Sequence, residues 1–298
     1  MELRQLKYLV SIAEEGTFTA AAEKLFISQS ALSQQVKRME EELGVPLFDR
    51  SRNRLRFTEA GEILHQRAKK IINEVKEAKN AIEDLEGLCR GTLSIGVVQT
   101  VNAYLIPRVV SHFSREYPKV KLAIEELSAP LLEEKLYNHE LDIGISFNPS
   151  VYSELDFDRI FSEQLLMIVN AGHKLADRTA IDVKEMDGQQ LLLLSHGYCT
   201  RRIWDAVAQE EEVEPNVQIE MNTIDGLLSA IQYNTKVGTI LPALTMEMKA
   251  AEGLMAIHLE KPSPQREVGI LWRKGGYRNK ASKTFADVAR QQYRQLNE

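Results

Sequence analysis

Cysteine is scarce: only Cys89 and Cys199 occur in 298 residues, far apart and in no paired spacing. That excludes a disulfide framework and a cysteine-type metal cluster, and it fits a reducing compartment. Cys89 falls near the end of a long helical pattern and Cys199 in a later lobe, so no direct bridge is expected between them. No uninterrupted apolar run is long enough to cross a bilayer. Residues 1–10 also lack the basic segment and apolar stretch of a secretion signal, so a cytoplasmic protein with no membrane partner is expected. An excess of positive charge is missing too: 37 Lys and Arg face 43 Asp and Glu, a formal net charge of -6. This does not exclude nucleic acid, because phosphate contacts need only a local basic patch, which an acidic second domain can outweigh.

Enzyme signatures are absent. There is no G-x-S-x-G, P-loop, G-x-G-x-x-G or H-E-x-x-H. The six histidines, His65, His112, His139, His173, His196 and His258, are scattered and read as ordinary surface or core residues. Glu125-Glu126 and Asp142 could imitate a catalytic pair, but nothing beside them completes a site. No catalytic residue, cofactor or metal is therefore expected. Two alternatives stay open: a solute-binding protein with an N-terminal extension, marked by failure to bind DNA, and a cytoplasmic enzyme, marked by turnover of its ligand.

The informative residues are concentrated near the start. Leu3, Leu6, Leu9, Val10 and Ala13 recur at helical spacing, and Gly16 supplies a left-handed stop. Thr17 or Thr19 then caps a second helix, in which Ala20-Ala21-Ala22 lets the next helix approach closely. After a tight turn at Phe26-Ile27, Ser28 is placed to cap a third helix. In it, Leu32, Val36, Met39 and Leu43 form a stripe that predicts packing on the first two helices. Gln29, Ser30, Ser33, Gln34 and Lys37 fall on the other side. These residue types hydrogen-bond base edges and phosphates, although a merely solvated face would look the same. With Thr17, Thr19 and Ser28 at the helix starts, they are the candidate contacts of a helix-turn-helix to double-stranded DNA.

Gly44-Val45-Pro46 breaks the third helix and Leu47-Phe48 returns to the core. Arg50, Arg52, Arg54 and Arg56 then alternate, which strand geometry places on one face, with Ser51-Arg52-Asn53 as the turn. A basic hairpin beside a recognition helix is a wing, and Arg50, Arg52, Asn53 and Arg54 are its candidate contacts to phosphates or the minor groove.

These residues resemble the LysR-type transcriptional regulators. The matching runs are Phe18-Thr19-Ala20-Ala21-Ala22, residues 28–35 from Ser28 to Gln35, residues 43–50 from Leu43 to Arg50, and residues 55–61 from Leu55 to Gly61. Ser30 stands where many members have proline. The resemblance implies an interrupted palindromic promoter site, a dimer or dimer of dimers, and RNA polymerase as a partner. It also implies activation of a divergent gene with repression of the protein's own.

From Thr58 a helical pattern runs without proline to Gly87. Leu64, Ala68, Ile71, Val75, Ala78, Ile82 and Leu85 alternate spacings of four and three. That is a coiled-coil seam joining two chains, or a face packed on its own domain. A dimer would set two recognition helices on half-sites one turn apart.

Beyond residue 90, strand and helix patterns alternate. Strands are predicted at 91–98, 120–127, 141–147, 165–170, 190–194, 217–221 and 238–241. Helices are predicted at 104–117, 131–138, 200–209, 224–233 and 243–250. This predicts parallel sheet covered on both faces, in two lobes, with a strand at 268–272 and a helix at 280–296 returning to the first. The fold class is thus α/β: a winged helix-turn-helix (1–58), a linker and dimerisation helix (59–90), and a two-lobed effector domain (91–298). The boundaries predict lobe I at about 91–161 and 267–298, and lobe II at about 162–266. The family resemblance implies that the effector domain is similar to periplasmic solute-binding proteins.

Ligands of such folds lie at strand C-terminal ends beside helix starts. The candidates for a small-molecule effector are Gln99, Thr100, Val101, Ser128, Phe147 and Asn148 on lobe I, and Ser195, Thr200, Arg201, Asn222 and Thr223 on lobe II. The Thr100 and Thr200 hydroxyls and the Arg201 guanidinium favour a small anion such as a carboxylate. Each of these residues could equally be a helix cap.

Overall fold

Left-handed glycines and hydroxyl caps set the first three helices. The computed structural model describes residues 1–49, 55–85, 91–148 and 152–296, which divide into an N-terminal and a C-terminal unit. In the first, α1 (Leu3–Glu15) ends at Gly16 with φ 69°. Thr17 accepts from the Ala20 N–H to start α2 (Phe18–Lys24), so Thr17, not Thr19, is the cap. Ser28 accepts from the Ala31 N–H to start α3 (Gln29–Leu43), which ends at Gly44 with φ 71°. Between α2 and α3 the Phe26 N–H bonds the Glu23 carbonyl and the Ile27 N–H bonds the Ala22 carbonyl. These paired bonds are a Schellman ending. Its left-handed position, usually glycine, is Phe26 with φ 56°, at a cost of roughly 1–2 kcal/mol for a residue with a Cβ.

Leu6, Leu9, Ile12, Ala21, Leu32, Val36 and Met39 form the core of this unit with Leu47 and Phe48. Leu43, expected on the same stripe, is 42% exposed. Residues 41–46 are all exposed, so the last turn of α3 extends past the core. A two-stranded ladder pairs β1 (Phe48–Asp49) with β2 (Arg56–Phe57). The expected wing contacts Arg50, Arg52, Asn53 and Arg54 lie outside the described residues; Arg56 is exposed on β2.

Thr58 and Gly61 hold the start of α4 (Glu59–Leu85). The Thr58 hydroxyl accepts from the Gly61 N–H and donates to the Pro46 carbonyl. A Cβ on Gly61 would stand 2.1 Å from the Leu47 carbonyl oxygen and 2.7 Å from the Phe57 ring. The Thr-Glu-Ala-Gly run is therefore a cap followed by a close backbone approach. The α4 seam divides: Ala68 is buried and Leu64 packs on the core of the same unit, whereas Ile71 and Ile82 are exposed.

The C-terminal unit opens with β3 (Gly91–Val98), α5 (Gln99–Tyr104), α6 (Ile106–Glu116), β4 (Val120–Leu127), α7 (Ala129–Tyr137) and β5 (Ile143–Phe147). The helix expected over 104–117 is α6; the short α5 before it was not expected, and the two are separated at Leu105, with Pro107 in the first turn of α6. The chain continues through β6 (Leu155–Asn170), β7 (Ala180–Asp182), β8 (Gln190–Leu194), α8 (Cys199–Glu210), β9 (Asn216–Met221), α9 (Ile224–Gln232) and β10 (Gly238–Pro242). It closes with β11 (Leu254–Glu260), β12 (Gln265–Arg273) and α10 (Lys280–Leu296). The helix expected at 243–250 is replaced by two 3-10 turns, Ala243–Glu247 and Lys249–Ala251. Thr245 ties the first of them by donating its hydroxyl to the Pro242 carbonyl.

The sheet runs β4-β3-β5-β12-β6-β10-β8-β9. β3 is parallel to β4 and β5, while β12 and β6 cross antiparallel. β6 serves both lobes: its residues 155–164 pair with β12, and its last residues pair with β10 and β11. Along that end, Leu165, Met167 and Val169 enter one core and Leu166 and Ile168 the other. Burial on both faces explains an unbroken apolar run where a half-exposed strand would alternate.

Gly61→Ala is expected to destabilise the N-terminal unit by about 1–3 kcal/mol, the usual range for overpacking a filled site. Chemical denaturation followed by a probe in that unit checks this; an unchanged midpoint would contradict the close approach.

Candidate functional site

Four chain segments meet at one small pocket in the C-terminal unit. Val98 ends β3 and Gln99 and Thr100 follow it; Leu127 ends β4 and Ser128 and Ala129 follow it. Phe147 ends β5, and Gly197, Tyr198, Cys199 and Thr200 follow β8. All are strand C-terminal ends, where α/β folds place ligands. The enclosed volume is about 30 Å³, room for roughly one water-sized group. Three helices, α5, α7 and α8, start against it, and α8 begins at Tyr198 without a side-chain cap. Its first N–H groups therefore keep unspent donor capacity.

Arg266 lies buried behind the two threonines. Its Nη1 donates to the Thr100 hydroxyl at 2.9 Å and to the Thr200 hydroxyl at 3.0 Å. Its Nε and Nη2 donate to Glu163 Oε1 at 2.9 and 2.6 Å. Tyr104 donates to the same carboxylate oxygen at 2.6 Å. The Arg266 and Glu163 side chains are 1% and 3% exposed, and the guanidinium lies 4.9 Å from the centroid of the Phe147 ring. Burial disfavours the Arg266 charge, yet Glu163 raises its pKa above the ordinary value. Tyr104 is pushed well up, by burial first and then by the Glu163 charge, and stays a neutral donor. Each threonine hydroxyl already accepts from a cation, so its own hydrogen remains available to donate. The pocket wall thus presents polarised donors, with the fixed charge already paired behind them.

The sequence candidates divide accordingly. Gln99, Thr100, Ser128, Phe147 and Thr200 line this pocket. Val101 is fully buried in the first-lobe core, because it faces inward on α5. Asn148, exposed after β5, is not among the lining residues. Asn222 bonds the Ser195 hydroxyl through its side chain, while its carbonyl accepts from Gln99 and from the Tyr198 hydroxyl. The Gln99 bond ties the two lobes beside the pocket. Thr223 caps α9 by accepting from the Gly226 N–H, the capping alternative.

Arg201, expected to hold an anion, is instead spent internally. Its guanidinium donates to Asp205 at 2.7 Å, to Glu220 at 2.8 Å and to the Leu194 carbonyl at 3.0 Å. Sequence reading missed Arg266, Tyr104 and Glu163. Their only signal was position, since residues 163 and 266 flank the predicted lobe crossings. Cys199 lies in the pocket wall, and burial raises its thiol pKa, opposed by the charges of Arg266 and Arg202. Cys89 lies outside the described residues.

In the N-terminal unit, Thr17, Thr19, Ser28, Gln29, Ser30, Gln34 and Lys37 are exposed and Ser33 is half-buried. Thr17 and Ser28 spend an acceptor on helix capping. Gln29, Ser30, Gln34 and Lys37 form one open polar face along α3, at a helix start facing solvent. Among the described residues no helix is long and apolar enough to cross a membrane, and no cluster of metal-ligating side chains occurs.

Glu163→Gln keeps the shape of the network but leaves the Arg266 cation unpaired. It is expected to destabilise the C-terminal unit by about 3 kcal/mol, as removing one partner of a buried ion pair does. Equilibrium denaturation of the two proteins checks this, and equal stability would show that the pair contributes nothing.

Residues 86–294 match the family model described as LysR substrate binding domain. Residues 3–62 match that of the bacterial regulatory helix-turn-helix protein, lysR family. Similar proteins include the HTH-type transcriptional regulator YybE of Bacillus subtilis, 29% identical over 96% of this chain and 97% of its own. The hydrogen peroxide-inducible genes activator of Escherichia coli O157:H7 is 28% identical over 92% of this chain and 90% of its own. A solved full-length OxyR variant from Pseudomonas aeruginosa is 28% identical, with a TM-score of 0.78 over 97% of this chain and 95% of its own. With a lysR-family helix-turn-helix matched at one end and the LysR substrate binding domain matched over the rest, the chain belongs to the LysR family of DNA-binding transcriptional regulators.

Proposed function

We propose that the protein binds an interrupted palindrome in promoter DNA and changes its hold there when a small anion occupies the Thr100–Thr200 pocket. The observation that carries the ligand class is the pair of hydroxyls backed by Arg266. Hydrogen bonds from polarised donors and the uncapped start of α8 favour a compact oxyanion or carboxylate. The small enclosed volume, about 30 Å³, excludes a large one. The proposed organisation is a DNA-binding domain at 1–58, a linker at 59–90 and an effector domain at 91–298. Dimerisation along the exposed part of α4, through Ile71, Ala78 and Ile82, would pair two recognition helices. Base reading is assigned to Gln29, Ser30, Ser33 and Gln34, and phosphate contact to Lys37, Arg50, Arg52, Asn53 and Arg54, beside Thr17, Thr19 and Ser28. Activation of a divergent gene through RNA polymerase, with repression of its own, completes the reading.

Thermal unfolding with sulfate, nitrate, bicarbonate and short carboxylates tests the ligand class, since a bound anion raises the midpoint. Thr200→Val should weaken binding of the stabilising anion roughly tenfold while Thr200→Ser retains it. If no anion shifts the wild-type midpoint, the ligand assignment fails. On the DNA side, Gln29→Ala and Ser33→Ala should relax base preference. Arg52→Ala should weaken binding uniformly and reduce the salt slope by about one phosphate contact. Identical, sequence-independent losses in all three would remove the base-reading roles.

A second reading is favoured by one observation: Cys199 lines the same pocket, and one relative is a hydrogen peroxide-inducible activator. In that reading the thiolate sulfur attacks a peroxide oxygen, the O–O bond breaks, and a sulfenic acid and hydroxide form. The raised thiol pKa opposes it, because the reactive thiolate is scarcer near neutral pH than in a free cysteine. Alkylation of Cys199 by iodoacetamide, followed by peptide mass, should be slower than that of free cysteine at neutral pH. It should rise only as pH climbs above the ordinary thiol range. Fast alkylation at neutral pH would favour the peroxide reading over reversible anion binding.

A further inference from the structure

The tip of the helix-turn-helix combines an exposed ring with a backbone conformation that disfavours it. Phe26 is 96% exposed, so its ring gains no burial. It also sits in the left-handed region at φ 56°, where a bulky side chain is disfavoured and glycine or asparagine is usual. The two Schellman bonds, Phe26 N–H to Glu23 and Ile27 N–H to Ala22, hold that conformation and aim the ring outward. Ile27 turns back to pack on the core, which leaves Phe26 the apolar point of the turn. The next residues are the Ser28 cap and then Gln29 and Ser30, which open the exposed face of α3. A recognition helix enters the major groove by its N-terminal end, and Phe26 stands at that end, three residues ahead of Gln29.

We infer that Phe26 is a specificity-determining residue that docks its ring on the apolar edge of the duplex, on thymine methyl groups and deoxyribose. The left-handed turn then serves recognition: it projects a ring that a glycine turn would lack. An apolar contact of this kind displaces water and releases no counterions. It therefore adds affinity for a thymine-bearing site without changing salt dependence.

The test uses the full chain and a duplex enriched by the wild-type protein from a random-sequence library, beside an unrelated duplex of equal length. Enrichment itself tests site-specific DNA binding, so failure there is distinguishable from failure of Phe26. Phe26→Asn should unfold at a higher temperature than wild type, because asparagine relieves the backbone cost. It should bind the enriched duplex roughly tenfold more weakly, with an unchanged slope of log affinity against log salt. Phe26→Leu, apolar but equally strained, should keep most of the affinity. Wild-type affinity in Phe26→Asn overturns the inference, and so does a loss that is equal on both duplexes or that flattens the salt slope.

Discussion

The C-terminal unit depends on one buried ion pair, Arg266 with Glu163. The two residues face each other across β12 and β6, the strands that cross between the lobes. A guanidinium removed from water is costly unless its charge is paired and its N–H groups are satisfied. Glu163 takes two of its donors, and Thr100 and Thr200 share Nη1. Each threonine starts a helix in a different lobe, so satisfying the arginine fixes the lobes' ligand-facing ends together. The pocket is a consequence of that requirement. Its donors are the hydroxyls left over once the cation is satisfied, so the pocket carries no bare charge.

Conditional regulation requires more than a pocket. A ligand shifts an equilibrium only as far as its affinities for two arrangements differ. Here a ligand that takes hydrogen bonds from both hydroxyls would also bear on the lobe-to-lobe bond from Gln99 to Asn222 and on the Tyr198 bond beside it. Those exposed bonds exchange with water cheaply, whereas the arginine network beneath them does not. The separation gives the unit a stiff floor and a rim that can rearrange.

The DNA-binding unit was legible because its signals are local. Gly16, Thr17, Ser28 and Gly44 act through their own backbone and need no tertiary partner. The Thr58 to Gly61 run could be recognised but not explained, since the atom that excludes a Cβ there is the distant Leu47 carbonyl. The pocket was legible only in outline. Helix starts pointed to Thr100 and Thr200, but the same logic chose Val101 and Thr223, which face the core and cap a helix. Arg201 looked free because Glu220 is far away in sequence, although Asp205 one turn on was a warning. Arg266 sits in a polar stretch after Pro264 that reads as a loop, and only the strand pairing reveals its burial. At 243–250 helical periodicity was real, but the Thr245 to Pro242 bond favoured tight turns. β11 was missed because its residues alternate only loosely.

The central claim is that occupation of the Thr100–Thr200 pocket governs how the protein sits on DNA. A nuclease footprint over the DNA upstream of its own gene, with and without an anion that raises the unfolding midpoint, tests it most directly. The expected result is protection of two spaced half-sites whose extent or internal cleavage pattern shifts when the anion is added. An identical footprint in both conditions, at anion concentrations that saturate the pocket, would contradict it.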